Sequence, residues 1–147
     1  MTEVTNHLNH STWECKYHVV FTPKYRKKTL FGFIRKELKD VFHRLASQKD
    51  CQIEEGHLML DHVHMLISIP PKLSVAKVIG FLKGKSSIWV AQNIANKKQN
   101  FNGHKFWARG YYVSTVGRDE QTVREYIKHQ EKEDKRLDNL SLFNRHH

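Results

Sequence analysis

The chain has 147 residues, and its 25 Lys and Arg against 15 Asp and Glu give a formal net charge of +10 and an isoelectric point near 9.7. That length supplies one core and no second ordinary domain, and with 27% charged residues and a mean hydropathy of −0.66 nothing approaches the run of about twenty apolar residues that spans a bilayer. A basic excess of this size points to a polyanion, because each phosphate contact releases counterions, although a merely soluble basic protein carries such charge too.

The N-terminus, Met1 to Ser11, is polar and lacks an apolar signal core, and the two cysteines, Cys15 and Cys51, form no CxxC pair. Reduced thiols in a cytoplasmic protein are the expectation. Trp13 to Thr22 then alternates, with Trp13, Cys15, Tyr17, Val19 and Phe21 on one side, which predicts a strand with one buried face that Pro23 ends. A basic loop follows through Lys24, Tyr25, Arg26, Lys27 and Lys28. Phe33 to Gln48 has helical spacing, its apolar stripe being Phe33/Ile34, Leu38, Val41/Phe42 and Leu45. Gln52 to Leu60 and His62 to Ile69 read as a hairpin turning at Asp61 and closed by Pro70-Pro71.

Ser74 is a candidate N-cap for a second helix running to about Ala95, in which Gly80 and Gly84 suggest a close neighbour or a break. Asn96 to Gly103 is polar and loop-like. Phe106 to Val116 is aromatic and β-branched, hence a strand, and Asp119 to about Arg136 predicts a third helix with acidic residues at its positive end. The order β-α-β-β-α-β-α is an α+β class and, without the last helix, a ferredoxin-like or RRM-like antiparallel sheet with helices on one face. Such a plan leaves a sheet face open to nucleic acid. Residues 1–147 are expected to form a single domain, with 1–11 and 138–147 flexible or in contact with a second copy.

Two constellations bear chemistry. In His62-Val63-His64, strand periodicity turns both imidazoles to one side, where they can share a divalent cation, although a short motif among 11 histidines is weak by itself. Tyr126 and Gln130 lie one turn apart on the third helix, on the stripe Val123, Tyr126/Ile127, Gln130. Taken alone, a backbone-bonded glutamine and a core tyrosine explain that pair more simply. Taken together, two imidazole nitrogens and one amide oxygen would leave coordination positions free around Mg²⁺ or Mn²⁺, beside a phenol able to act as nucleophile.

Five segments then carry a resemblance: YHVVFTPKYR from Tyr17, LDHVHML from Leu60, LKGKSS from Leu82, WARGYYVSTVG from Trp107 and YIKHQ from Tyr126. In order and spacing they resemble the single-tyrosine HUH transposases of the insertion-sequence 200/605 family. The resemblance implies a metal held by His62, His64 and Gln130. It implies attack by Tyr126 on a phosphate of single-stranded DNA, leaving a 5′-phosphotyrosine and a free 3′-OH that can later reverse the step without ATP. It also implies a homodimer with shared active sites and hairpins at the element's ends as substrate. By the same logic Lys24, Arg26, Lys83, Lys85, Arg109 and Arg118 would bind backbone rather than read sequence.

Other readings stay open at this point. Asp61 could orient an imidazole or simply make a turn. Lys83, Lys85, Ser86 and Ser87 could hold phosphates or form a solvated face, and Trp107, Tyr111 and Tyr112 could stack bases or fill a core. His18, on the side of its strand away from the apolar set, could be functional or merely exposed. An RRM-like binding module would want an aromatic RNP-type motif, which is missing. A nuclease with paired metals would want carboxylates in strands, whereas the acidic residues cluster in helices. A domesticated relative of the transposases would share all the chemistry.

Overall fold

The computed structural model describes residues 6–8, 11–24, 33–93, 106–117 and 120–145. A short antiparallel hairpin of β1 (Asn6–Leu8) and β2 (Ser11–Trp13) comes first. The predicted first strand is therefore two strands: the chain leaves the hairpin at Trp13 and joins the main sheet as β3 (Lys16–Phe21). Alternation in the sequence continues across this change of partner, so it could not reveal it.

The main sheet has the order β4-β5-β3-β6, all antiparallel, with β4 at Gln52–Leu58, β5 at Val63–Ser68 and β6 at Tyr112–Val116. The β4–β5 turn is tight, with Met59 N donating to His62 O at 2.7 Å around Leu60 and Asp61. Val19 faces Met65 and Phe21 faces Val63 across β3 and β5, and these side chains enter the core. Helix α1 (Phe33–Gln48) buries Leu38, Val41, Phe42 and Leu45 there, as its stripe predicts. Helix α2 (Val75–Asn93) adds Val78, Ile79, Leu82 and Val90, and Ser74 caps it by accepting from Lys77 N at 3.1 Å.

Further expectations change. Gly80 and Gly84 mark neither a close neighbour nor a break, since α2 is continuous and a methyl group at either would meet nothing within 4 Å among the described residues. Packing of the opposite face outweighs the cost of roughly 1 kcal/mol per helical glycine. The predicted strand from Phe106 begins only at Tyr112. Before it, Trp107 pairs with Pro23 in an isolated bridge, Gly110 takes a positive φ of 78°, and Lys83 Nζ donates to the carbonyls of Ala108 and Gly110 at 2.7 and 2.8 Å. Those carbonyls are satisfied by a side chain, so no neighbouring strand is needed.

The third helix, α3 (Glu120–Arg145), is longer than predicted, and it covers the sheet face that α1 and α2 leave free. Parity on β5 shows this: Val63, Met65 and Ile67 belong to the core cluster, whereas His64, between them, meets α3. Leu66 and Ile127 are fully buried yet stand outside that cluster. The open sheet face that an RRM-like binder would use is thus partly occupied by the chain's own helix.

Candidate active site

The site forms where α3 crosses β5. Val63 is locked in the core, so strand geometry turns His64 to the other face, where it is only 7% exposed. His62 sits just before the strand, its ring centroid 4.6 Å from that of His64. Its Nδ1–H donates to Asp61 Oδ1 at 2.8 Å, which makes Asp61 an orienting partner as well as a turn residue. His18 reaches the same place from β3: its Nε2 lies 3.1 Å from His64 Nδ1, and the two rings lie nearly coplanar and edge to edge, with centroids 5.3 Å apart and an interplanar angle of 17°.

From α3, Tyr126 puts its ring 6.0 Å from that of His64, and Gln130 Nε2 donates to the phenol oxygen at 3.0 Å. Tyr126 is 48% exposed, so it is no core aromatic, and Ile127 alone takes the buried position beside it. Strand and helix parts of this cluster meet within one chain.

Electrostatics suit a cation. Burial first, then the nearby His62, His18 and His57, pulls the His64 imidazole down to about 3, so at neutral pH it offers a lone pair rather than a charge. Burial lowers His18 as well. Each of His62 and His64 has Nδ1 engaged by a protein group, leaving Nε2 as the available donor atom. Gln130 turns its nitrogen to Tyr126, so its carbonyl oxygen is the end left for a hard cation. Among the described residues no three His, Cys, Asp or Glu side chains group as a metal cage, so a cation held here would need the Gln130 amide as a third protein donor. Two imidazole nitrogens and an amide oxygen, with open positions for water and phosphate oxygens, would fit Mg²⁺ or Mn²⁺.

His57 was missed by sequence reasoning. It is buried on β4 directly opposite His64, with Nδ1 3.5 Å from Glu131 and Nε2 3.5 Å from Asp134, and Arg35 pairs with the same Asp134. Burial lowers its pKa even though both carboxylates push the other way. Further along the junction, Lys16 Nζ donates to Glu120 at 2.8 Å, while Arg124 bridges Glu54 at 3.2 Å and Glu120 at 2.8 Å. Burial raises Glu120, but the hydrogen bonds from Lys16 and Arg124 outweigh it and hold the carboxyl below its usual range.

The candidate nucleic-acid residues divide. Lys85 and Arg109 are exposed, and Lys24 is half-buried with its backbone nitrogen bonded to Phe106 O. Arg26 and Arg118 lie outside the described residues. Lys83 is committed to two loop carbonyls, and Ser86 is buried, accepting from Trp107 Nε1 at 2.8 Å. A phosphate cradle at Lys83, Ser86 and Ser87 is therefore replaced by a structural staple. Trp107 is core, stacked edge-on against Phe21, whereas Tyr111 and Tyr112 are exposed.

Residues 11–130 match the family described as "Transposase IS200 like". The transposase of insertion sequence element IS200 from Salmonella typhimurium strain LT2 is 43% identical over 92% of this chain and 89% of its own length. The ISDra2 transposase TnpA of Deinococcus radiodurans is 28% identical over 80% of this chain and 85% of its own. Among solved structures, a candidate transposase from D. radiodurans superposes with a TM-score of 0.69 at 25% identity, covering 85% of this chain and 97% of that one. A REP-associated tyrosine transposase bound to a REP hairpin shares the fold at TM-score 0.58 and 10% identity, over 83% and 70% of the two chains.

Proposed function

The chain belongs to the IS200-like transposase family, and from that premise we propose that it cuts and rejoins single-stranded DNA at the ends of an insertion element, with Tyr126 as nucleophile. One observation supports this most: the Tyr126 phenol stands beside His64 with the Gln130 amide hydrogen-bonded to its oxygen. That donor favours negative charge on the phenol oxygen as it is deprotonated. The oxygen then attacks phosphorus, the bond to the 3′-oxygen breaks, and the leaving oxygen takes up a proton. The products are a 5′-phosphotyrosine and a 3′-OH, and because the number of phosphodiester-type bonds is unchanged, a later 3′-OH can reverse the step. His62, His64 and the Gln130 carbonyl would hold Mg²⁺ or Mn²⁺, which when bound supplies charge neutralisation at the scissile phosphate.

Hairpin DNA is the substrate we favour, in line with the hairpin held by the REP-associated relative. Lys24, Lys85 and Arg109, with Arg26 and Arg118, would contact backbone. Among the described residues no helix is long and apolar enough to cross a membrane, and the bacterial cytoplasm, where the DNA lies, is the compartment proposed. A homodimer with shared sites is part of the same proposal: the side-chain pairs that dock α3 could be remade identically with a second copy.

The decisive experiment is to incubate the protein with labelled single-stranded DNA carrying an element end, plus Mg²⁺. A covalent adduct on a denaturing gel, absent with Tyr126→Phe and with His64→Ala, is expected. An adduct that survives Tyr126→Phe would remove that residue from its role.

A further inference from the structure

An imidazole presents two ring nitrogens, and only one can face a cation. For His62 the choice is made by Asp61, which takes the Nδ1 proton at 2.8 Å. For His64 the atom in the corresponding place is Nε2 of His18, 3.1 Å from His64 Nδ1. A neutral imidazole carries one proton, and a hydrogen bond between two ring nitrogens needs one donor and one acceptor. If His64 Nδ1 accepted, its proton would sit on Nε2 and block ligation there. If it donates, Nε2 keeps its lone pair.

We propose that His18 is a positioning residue for His64: it accepts the Nδ1 proton of His64 on its own Nε2, and so reserves the Nε2 of His64 for the divalent cation. The inference rests on the metal reading of the site given above and names a residue that acts on the ligand without touching the cation. The placement is rigid. His18 lies mid-strand on β3, between Leu66 of β5 and Ser114 of β6 in register, with its ring nearly coplanar with that of His64, at an interplanar angle of 17°, and edge-on to Tyr112 at 5.9 Å. A partner on a central strand fixes ring orientation better than one on a loop. His62 and His64 thereby obtain the same service from different groups, a turn carboxylate for one and a cross-strand imidazole for the other.

Two substitutions separate hydrogen bonding from ring packing. His18→Phe keeps a ring against His64 and removes the acceptor, whereas His18→Gln brings an amide oxygen close to where Nε2 was. The probe is Mn²⁺, titrated calorimetrically into the metal-free full chain, with the His64 tautomer read from ¹⁵N–¹H correlations of the imidazoles and thermal unfolding as the check on folding. His18→Phe is expected to weaken Mn²⁺ binding by about 10–100-fold and to shift His64 towards the Nε2–H tautomer, and His18→Gln to restore both. Parental affinity and tautomer in His18→Phe overturn this inference and leave the metal reading standing. Equal losses in both variants with the His64 tautomer unchanged assign the ring a packing role and overturn it as well. If the parent shows no Mn²⁺ site that His64→Ala removes, the metal reading itself falls, and this inference with it.

Discussion

At the level of single residues, burial decides what each basic group can do. An unfolded imidazole protonates near pH 6.5, whereas that of His64 stays neutral in the fold down to about 3, through burial first and then through His62, His18 and His57. Between those values the unfolded chain binds more protons, so in the metal-free protein the contribution of His64 to stability is fully present above about pH 6.5 and is lost as pH falls towards 3. His18 and His57, also lowered by burial, act in the same direction. The melting temperature of the metal-free protein should therefore drop between about pH 7 and pH 4, and less steeply in His64→Gln; equal slopes would contradict the assignment. Lys83 and Arg109 make a contrasting pair. Lys83→Met strips the donor from two carbonyls and should cost about 1–3 kcal/mol in urea unfolding while leaving the salt dependence of DNA binding intact. Arg109→Ala, at an exposed position, should barely change stability and lower the slope of log affinity against log salt by about 1.

Among the elements, α3 stands apart because its docking is largely ionic. Ile127 is its fully buried apolar residue among the described side chains, whereas Glu120, Arg124, Lys128 and Asp134 pair with groups on β3, β4 and α1. Lys16 is only 5% exposed and its partner Glu54 11%, so removing the lysine leaves carboxylates in a poorly solvated place. Lys16→Met should destabilise the protein by about 3 kcal/mol, read as a lowered urea midpoint. Hydrogen exchange in α3 should also quicken as salt is raised while β5 stays protected, because partly exposed ion pairs are screened and a strand inside a sheet is not. Uniform exchange behaviour in both elements would show α3 to be held by something other than charge.

For the molecule as a whole, the question is which copy's α3 serves which copy's histidines. The contacts of α3 are made within one chain here, and a symmetric exchange would replace each by its equivalent, so the two arrangements differ little in contact energy. Tyr126→Phe and His64→Ala subunits, each inactive alone, should regain cleavage when mixed into one dimer if the site is shared. No recovery in verified mixed dimers would assign each site to a single chain.

Much of this could be read along the chain. The strand alternation, the α1 stripe, the Ser74 cap and the i, i+4 spacing of Tyr126 and Gln130 are local properties, fixed by backbone periodicity over a few residues. The five motif segments likewise pointed to the family before any coordinates. His18 carried half a signal, since its parity set it opposite the core, but the sheet order that lays β3 beside β5 is a long-range pairing no local pattern encodes. His57 carried none, because a histidine between Gly56 and Leu58 looks the same in sequence whether it is exposed or buried. Lys83 misled for the same reason: a lysine's role depends on whether water or a carbonyl meets its ammonium, and only the folded path of residues 106–110 decided that. Local periodicity marked most of the elements, and the motif segments singled out the candidate site residues; which groups are dehydrated and brought together was decided by tertiary packing alone.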